Sequence, residues 1–283
     1  YSADGGGRVS SAKEAETLLG WAKELNANFV RLAHYPHNED MVRLADRMGL
    51  LVWSEIPVYW TINWKNEATY QNAEAQLVAM IERDKNRAAV IIWSLANETP
   101  VSEVRNQFLA RLARKARELD NTRLLSAAME KHYRSDNPNI AVVEDPLADL
   151  VDMVSFNQYI GWYDGLPEKA DKVTWEINYD KPVFVSEFGG SAKQGYHGDV
   201  NTIFTEEFQE SLYRKSLGMI DRIDGFVGTS PWILADFRSP RRQLADVQDG
   251  WNRKGLISEL GERKLAFVVL AEWYAARPGQ SED

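Results

Sequence analysis

Two glutamates, Glu98 and Glu187, each follow a short and strongly apolar stretch of sequence, at residues 90–95 and 182–186. A carboxylate at the end of a buried strand loses hydration, so it is usually either paired with a cation or used in chemistry. Two such carboxylates in one sheet suit glycoside hydrolysis, in which one carboxylic acid protonates the leaving oxygen and the other carboxylate attacks the anomeric carbon. A single strand-end carboxylate is more often an ion-pair partner, but two with distinctive neighbours favour catalysis.

The elements that must position these glutamates alternate along the chain. We predict strands at residues 28–33, 50–54, 90–95, 124–128, 153–156, 182–186 and 225–230, and helices at residues 11–25, 38–48, 68–86, 101–119, 169–178, 206–222 and 263–275. Apolar strands that alternate with amphipathic helices predict a parallel sheet covered by helices. A doubly wound open sheet is the rival architecture, but no strand is followed by a nucleotide-binding glycine motif.

Polar and aromatic residues recur just after the predicted strands, which is where barrel enzymes place their sites. The sequence therefore predicts an α/β fold, with one (β/α)8 TIM-barrel domain over residues 1–283. Such a barrel needs eight strands and we count seven, because the first recognisable element is a helix. We expect the first strand to be missing from this chain. An N-terminal segment or another chain would then complete the barrel, and a homo-oligomer is one possible arrangement.

Several strand-end segments resemble motifs of glycoside hydrolase family 2. Trp93-Ser-Leu-Ala-Asn-Glu98 resembles the acid/base motif of that family, and Ser186-Glu187-Phe-Gly189 resembles its nucleophile motif. Further similar segments are Arg31-Leu-Ala-His34-Tyr-Pro-His37, Asn157-Gln-Tyr159 with Gly161-Trp-Tyr163, and Trp232 before Ala235-Asp-Phe237. The resemblance extends from about residue 10 to about residue 275. It implies a (β/α)8 catalytic domain without the β-sandwich domains that normally precede it in the family.

The resemblance also implies a retaining exo-β-glycosidase with assigned roles. Glu98 would be the acid/base and Glu187 the nucleophile, while Asn97 would contact a ring hydroxyl. Tyr159 would orient Glu187. The other sugar-binding residues that the resemblance implies are Arg31, His34, Asn157, Tyr163 and Trp232.

The segment Asn252-Arg253-Lys254-Gly255 resembles the Asn-x-Lys motif with which β-glucuronidases of this family hold the sugar carboxylate. An amide and an ammonium can bind a carboxylate together through charge-assisted hydrogen bonds. Many glucuronidases carry an arginine four residues before that asparagine, where this chain has Gln248, so Arg253 or Arg238 would have to compensate. A β-glucuronide is therefore the first expectation for Asn252 and Lys254. A β-galactoside, or a sugar-binding fragment without catalysis, remains an alternative.

Composition excludes several other classes of function. The chain has a formal net charge of −9, which argues against a nucleic-acid partner or an anionic membrane. No apolar run approaches the roughly 18 residues of a membrane span. The chain contains no cysteine. His34 and His37 straddle Pro36 without a third ligand nearby, so we expect neither a metal nor a cofactor. The expected partner is a carbohydrate, and the compartment of this soluble chain stays open between the cytoplasm and export.

Overall fold

The computed structural model describes residues 2–4 and 6–277, so the ends of the predicted domain range lie outside the described residues. The helices are α1 (Ala12–Glu24), α2 (Glu39–Met48), α3 (Glu67–Asp84), α4 (Glu103–Leu119), α5 (Glu206–Ile220) and α6 (Leu265–Ala275). The strands are β1 (Phe29–Leu32), β2 (Leu51–Glu55), β3 (Val90–Asn97), β4 (Leu124–Met129), β5 (His132–Tyr133), β6 (Ile140–Val142), β7 (Val154–Asn157), β8 (Thr174–Glu176), β9 (Val183–Glu187), β10 (Phe226–Thr229), β11 (Phe237–Arg238) and β12 (Trp251–Asn252).

Seven of these strands form one parallel sheet in the order β1-β2-β3-β4-β7-β9-β10. The sheet curls round a filled interior, because side chains from strands that are not neighbours in the sheet touch. Phe29 of β1 and Trp53 of β2 both pack against Phe184 of β9, with ring centroids 5.2 and 5.8 Å apart. The predicted TIM-barrel fold with seven strands is confirmed.

Local sequence explains where the helices begin and end. The Ser11 side chain accepts a hydrogen bond from the backbone N–H of Glu14 at the start of α1, and Asn38 caps α2 in the same way. Gly49 ends α2 with a φ of 68°, a left-handed conformation that glycine adopts at little cost. These helix ends fix the short loops that lead into the strands.

The barrel is open on one side. Within residues 2–4 and 6–277, no strand lies between β1 and β10, the two edges of the sheet. Apolar side chains of α1, among them Leu19 and Ala22, line the opening together with Phe29 and Tyr274. The opening is continuous with the cavity at the carboxyl ends of the strands.

The helix predicted at residues 169–178 is wrong. A 3₁₀ helix runs from Pro167 to Asp171, and the chain then forms β8, which pairs in parallel with β6. Trp175 of β8 packs on Phe156 with the ring centroids 4.4 Å apart. Tertiary packing of this aromatic residue therefore overrides the weak helical pattern. The short strands β5, β6, β8, β11 and β12 were not among the predicted elements.

A buried ion pair holds the loop that follows β3. Arg105 Nη1 and Nη2 donate to the two oxygens of the Asp145 carboxylate, at 2.7 and 2.8 Å, and neither side chain is exposed. Arg105 Nε also donates to the hydroxyl of Thr99, the residue after Glu98. A bidentate pair of this kind fixes geometry, although its net contribution to stability is small compared with the cost of removing one partner.

We predict that Arg105→Met lowers the free energy of unfolding by about 3–5 kcal/mol, because Asp145 is left buried without its cation. Urea denaturation measures this change. Arg214→Met is the matched control: Arg214 forms an exposed pair with Glu210 one helical turn away, and its loss should cost only a few tenths of a kcal/mol. Equal and small losses in both variants would contradict the prediction.

Candidate functional site

One cavity of about 1270 Å³ lies at the carboxyl ends of the sheet strands and extends into the opening of the barrel. It brings together ten of the eleven residues for which the sequence predicted a role. They are Arg31, His34, Asn97, Glu98, Tyr159, Tyr163, Glu187, Trp232, Asn252 and Lys254. The eleventh, Asn157, is buried beside the cavity and hydrogen-bonds Glu98.

Arg31 is the centre of the site's hydrogen bonding. Its Nη1 donates to Glu187 Oε1 at 2.8 Å, and its Nε donates to Glu55 Oε2 at 2.9 Å. Nη2 donates to Asn97 Oδ1 at 2.8 Å. The Arg31 side chain is only 3% exposed. One guanidinium on β1 therefore holds side chains at the ends of β2, β3 and β9.

Glu55, at the end of β2, is a site residue that our sequence analysis missed. It accepts hydrogen bonds from Arg31, from His34 Nδ1 at 2.7 Å and from Trp53 Nε1 at 2.7 Å. Burial opposes ionisation, but the Arg31 charge and the bond from His34 outweigh it and lower the pKa of Glu55 to about 2. Ionised Glu55 therefore stabilises the fold above its ordinary pKa of 4.5, and this contribution is lost as the pH falls towards 2.

Glu187 ends β9 and is almost fully buried. Tyr159 donates its hydroxyl to Glu187 Oε2 at 2.6 Å, opposite the bond from Arg31. Burial raises the pKa of Glu187, and the negative charge of Glu98 adds to the rise, while Arg31 and His34 oppose it. Burial and the Glu187 charge raise the pKa of Tyr159 well above 10, so this phenol keeps its proton and remains a donor.

Glu98 follows β3 in a strained conformation, with a φ of 50° in the region that favours glycine. Its backbone N–H donates to the carbonyl oxygen of Ala128 on β4 at 2.9 Å. Asn157 Nδ2 donates to Glu98 Oε1 and Trp60 Nε1 to Glu98 Oε2, both at 3.0 Å. Neutral donors therefore hold Glu98, whereas a cation holds Glu187.

Asn97 connects the two glutamates. Its Oδ1 accepts a hydrogen bond from Arg31, and Arg31 also binds Glu187. The same oxygen accepts from Asn157 Nδ2 at 3.1 Å, and Asn157 also binds Glu98. Because both bonds fall on the oxygen, the amide is fixed in one orientation. Asn97 Nδ2 donates to no side chain among residues 2–4 and 6–277, which leaves it available to a ligand in the cavity.

His34 and Trp232 form one wall of the cavity. Their rings stack with the centroids 4.8 Å apart and the planes 18° from parallel. His34 Nε2 lies 3.6 Å from Glu187 Oε1, and Nδ1 is held by Glu55. The close approach of Trp232 requires glycine at position 189, since a side chain there would meet the Trp232 carbonyl oxygen at 3.1 Å and the Tyr213 hydroxyl at 2.9 Å.

A second cluster, here called the cation pair, consists of Lys254 and Arg242. Lys254 Nζ donates to the Tyr163 hydroxyl at 2.8 Å, and Arg242 Nη2 donates to the same oxygen at 3.2 Å. Burial lowers the pKa of Lys254. Burial opposes ionisation of Tyr163, but the Lys254 charge prevails and lowers the pKa of Tyr163. Within the described part of the chain, neither cation forms a salt bridge with a carboxylate, so the pair suits an anionic group.

Arg253 and Arg238, which we expected to stand in for the arginine that is absent at position 248, have other partners. Arg253 pairs with Glu259 at 2.5 Å and Asp236 at 3.3 Å. Arg238 lies over the Trp251 ring, 5.1 Å from its centroid. Neither of them is among the residues that line the cavity. Arg242 lines the cavity instead and donates to the same Tyr163 hydroxyl as Lys254, although 79 positions separate Arg242 from Tyr163 in the sequence.

A buried network fixes the backbone under Lys254. Asp236 Oδ1 accepts from the backbone N–H of Gly255 and from Lys264 Nζ, both at 2.8 Å. A side chain at position 255 would meet the Asp236 backbone nitrogen at 2.2 Å, so only glycine fits. Asn252 Oδ1 accepts from the backbone N–H of Lys254 at 3.1 Å. The Asn252–Gly255 segment thus presents Lys254 to the cavity from a rigid base.

The described residues contain no group of three or more His, Asp or Glu side chains placed to hold a metal ion. His37 Nε2 contacts the Ala33 carbonyl oxygen at 2.9 Å, and burial lowers the pKa of His37 to about 4. Among the same residues, no helix is both long and apolar enough to cross a membrane.

A parallel sheet curled round a packed interior, with its ionisable and aromatic side chains gathered at the carboxyl ends of the strands, defines this chain as a TIM-barrel domain. The family profile described as "Glycosyl hydrolases family 2, TIM barrel domain" matches residues 2–257, and the chain belongs to this family. It is a glycoside hydrolase domain related to β-glucuronidases.

The relatives support this relation over most of the chain. A β-glucuronidase of Paenibacillus borealis is 32% identical over 279 residues, covering 89% of this chain and 43% of the relative. The β-glucuronidase of Homo sapiens is 30% identical over 274 residues, covering 91% and 39%. The chain thus spans less than half the length of these relatives.

Solved structures agree with the fold. A β-glucuronidase from an uncultured Clostridium species matches with a TM-score of 0.80 at 26% identity, covering 95% of this chain and 48% of that one. A β-galacturonidase from Eisenbergiella tayi bound to glycerol matches with a TM-score of 0.81 at 25% identity, covering 97% and 49%.

We predict that Tyr159→Phe raises the pKa of Glu187 further, because the variant loses the hydroxyl that stabilises the ionised carboxylate. Carbon-13 NMR of labelled glutamate side chains, followed across pH, measures this pKa. Tyr179→Phe is the control, since the Tyr179 hydroxyl donates to the Asp145 backbone oxygen away from the cavity. An unchanged Glu187 titration in Tyr159→Phe would show that the hydrogen bond does not tune this carboxylate.

Proposed function

We propose that this chain is the catalytic domain of a retaining exo-β-glycosidase that removes a terminal β-linked uronic acid, with β-glucuronides as the first expectation. The observation that carries the proposal is the cation pair. Among residues 2–4 and 6–277 it has no carboxylate partner, and it lies in the cavity that also contains Glu98 and Glu187. A terminal uronic acid supplies the missing anion at one end and the scissile bond at the other.

In the first step of the proposed reaction, the carboxylic acid of Glu98 gives its proton to the glycosidic oxygen. The bond between that oxygen and the anomeric carbon breaks as a Glu187 oxygen bonds to the same carbon. The leaving group departs as an alcohol, and the sugar remains as an ester of Glu187. Glu98 is then a carboxylate.

In the second step, Glu98 takes a proton from water as the water oxygen attacks the anomeric carbon. The ester bond to Glu187 breaks, and its electron pair returns to the carboxylate. The surroundings of the two groups support these roles. Arg31 and Tyr159 donate hydrogen bonds to Glu187 and favour the ionised form that attacks. The side-chain donors to Glu98 among the described residues, Asn157 and Trp60, are neutral.

The remaining predicted residues have supporting positions in this proposal. Asn97 has a free Nδ2 for a ring hydroxyl next to the anomeric carbon, and the stacked His34 and Trp232 offer an aromatic wall for the sugar ring. Asn157 holds Glu98. Tyr163 and Asn252 position Lys254.

The identity of the uronic acid is proposed from similarity. The relatives named above are β-glucuronidases, and one structural neighbour is a β-galacturonidase. Both sugars carry the carboxylate that the cation pair suits, and they differ at carbon 4. A β-galactoside, which lacks the carboxylate, would leave Lys254 and Arg242 without an anionic partner. A desolvated cation without such a partner is costly.

A sugar-binding fragment without catalysis is the second candidate, and the open barrel is the observation that favours it. We propose that an eighth strand, from a segment outside the described residues or from another chain, lies between β1 and β10. The two unpaired strand edges and the apolar opening between them support this proposal.

We predict that Glu187→Ala lowers the hydrolysis of an aryl β-glucuronide at least about a thousandfold while circular dichroism shows an unchanged fold. Azide, which can take the place of the missing carboxylate, should partly restore turnover and give the α-glycosyl azide. Glu98→Ala with azide should instead give the β-glycosyl azide, because the glycosyl-enzyme still forms. Activity near that of the unmodified chain in Glu187→Ala would rule out its role as the nucleophile.

We predict that Lys254→Met lowers kcat/KM for an aryl β-glucuronide by about 10- to 100-fold, as expected for the loss of a charged hydrogen bond, with a much smaller loss for the matching β-galactoside. Arg242→Met should lower kcat/KM for the aryl β-glucuronide about tenfold. Arg238→Met is the control, because that arginine packs on Trp251 instead. An equal loss on both sugars would show that the cation pair does not read a carboxylate.

A further inference from the structure

Two exposed aromatic residues, Tyr59 and Trp60, form the rim of the cavity beside Glu98. Trp60 is 60% exposed and Tyr59 is 40% exposed. Their rings meet edge to face, with the centroids 5.5 Å apart and the planes 86° from parallel. Large apolar groups kept in water next to a reactive carboxyl group are typical of a binding surface rather than of a core.

The backbone holds this rim rigidly against β3. The N–H of Trp60 donates to the Asn97 carbonyl oxygen at 3.0 Å, and the N–H of Asn97 donates to the Val58 carbonyl oxygen at 2.9 Å. Trp60 has a φ of 56°, in the region that favours glycine, as does the neighbouring Glu98 with a φ of 50°. Strained conformations of this kind persist where the surroundings over-determine them, and they concentrate at functional sites.

The hydrogen bond between Trp60 and Glu98 indicates which part of a substrate contacts the rim, namely the leaving group. Trp60 Nε1 donates to Glu98 Oε2 at 3.0 Å. In the proposed reaction, Glu98 protonates the oxygen that carries the leaving group. A group attached to that oxygen therefore leaves the cavity along Glu98, where the indole of Trp60 is the adjacent surface.

A second carboxylate, that of Glu130, lies near Glu98. Glu130 follows β4 two residues after Ala128, whose carbonyl oxygen accepts from the Glu98 N–H. Its half-buried carboxylate has no hydrogen bond or salt bridge within the described residues. Burial raises the pKa of Glu130, and the negative charge of Glu98 adds to the rise. A half-buried acceptor of this kind suits the hydroxyl groups of a ligand.

We propose that Tyr59 and Trp60, together with Glu130 on the strand end next to Glu98, form a leaving-group subsite that binds a second sugar ring. Aromatic faces bind the C–H face of a pyranose, and a carboxylate accepts its hydroxyls. An aryl leaving group would use the aromatic rim but would give Glu130 nothing to bind. This inference rests on the proposed function and specifies it: the substrate is the uronic-acid end of an oligosaccharide.

The test compares leaving groups of different size on one sugar. The substrates are a β-uronosyl disaccharide, a 4-nitrophenyl β-uronide and a β-uronosyl fluoride, whose leaving group is too small to reach the rim. The variants are Trp60→Ala, Trp60→Phe, which keeps a ring but loses the N–H bond to Glu98, and Glu130→Gln. Tyr196→Ala, which removes an exposed aromatic residue outside the cavity, is the control. The kcat/KM of the unmodified chain and of each variant is measured with each substrate.

For Trp60→Ala, we expect a fall in kcat/KM on the disaccharide at least about tenfold larger than on the fluoride, and Trp60→Phe should keep most of the disaccharide activity. Glu130→Gln should weaken the disaccharide selectively. Equal losses on disaccharide and fluoride, or identical losses in Trp60→Phe and Trp60→Ala, would overturn the subsite, because Trp60 would then act only through Glu98. A loss on the aryl substrate as large as on the disaccharide, with Glu130→Gln silent, would overturn the assignment to a sugar.

Failure of the proposed function gives a different result. If the unmodified chain hydrolyses no uronide but hydrolyses β-galactosyl fluoride, the uronide assignment fails, and the same comparison with a β-galactosyl disaccharide still decides the subsite. A chain that hydrolyses neither sugar overturns both proposals.

Discussion

The site depends on a single buried cation, the guanidinium of Arg31. Two carboxylates, Glu55 and Glu187, are each almost fully removed from water, and desolvation of an unpaired carboxylate costs several kcal/mol. Arg31 offsets this cost for both carboxylates. It also binds Asn97, which is linked to Glu98 through Asn157. The four residues come from β1, β2, β3 and β9, so the network exists only because the sheet curls until its two ends face one interior.

The two catalytic candidates illustrate how surroundings divide roles between identical side chains. Glu187 is held by a cation and a phenol that keeps its proton, and both favour the carboxylate form. Glu98 is less buried and is held by an amide and an indole. The strained backbone at Glu98 has the same origin as its contacts, since the chain must turn sharply after β3 to bring the side chain into the cavity while its N–H still pairs with β4.

Much of this arrangement follows from sequence because the carboxyl ends of parallel strands converge, so residues just after apolar runs meet in space. The same rule should have selected Glu55, which also ends an apolar run, but no resemblance drew attention to it. Arg242 could not be predicted from the sequence for a different reason. Its contact with Tyr163 depends on the conformation of the long loop between β11 and β12. The false helix at residues 169–178 fails because Trp175 finds a better packing partner in Phe156 than a helix would offer.

The open side of the barrel bears directly on the central cation. Arg31 lies on β1, an edge strand that pairs only with β2 among residues 2–4 and 6–277. The opening beside β1 is continuous with the cavity that contains Arg31, Glu98 and Glu187, so water that enters the opening can reach the ion network. Water raises the local dielectric and weakens each Coulombic contact that Arg31 makes. A strand bound along β1 would both fix the register of Arg31 and dry its surroundings, so closure of the barrel and strength of the site are one and the same physical requirement.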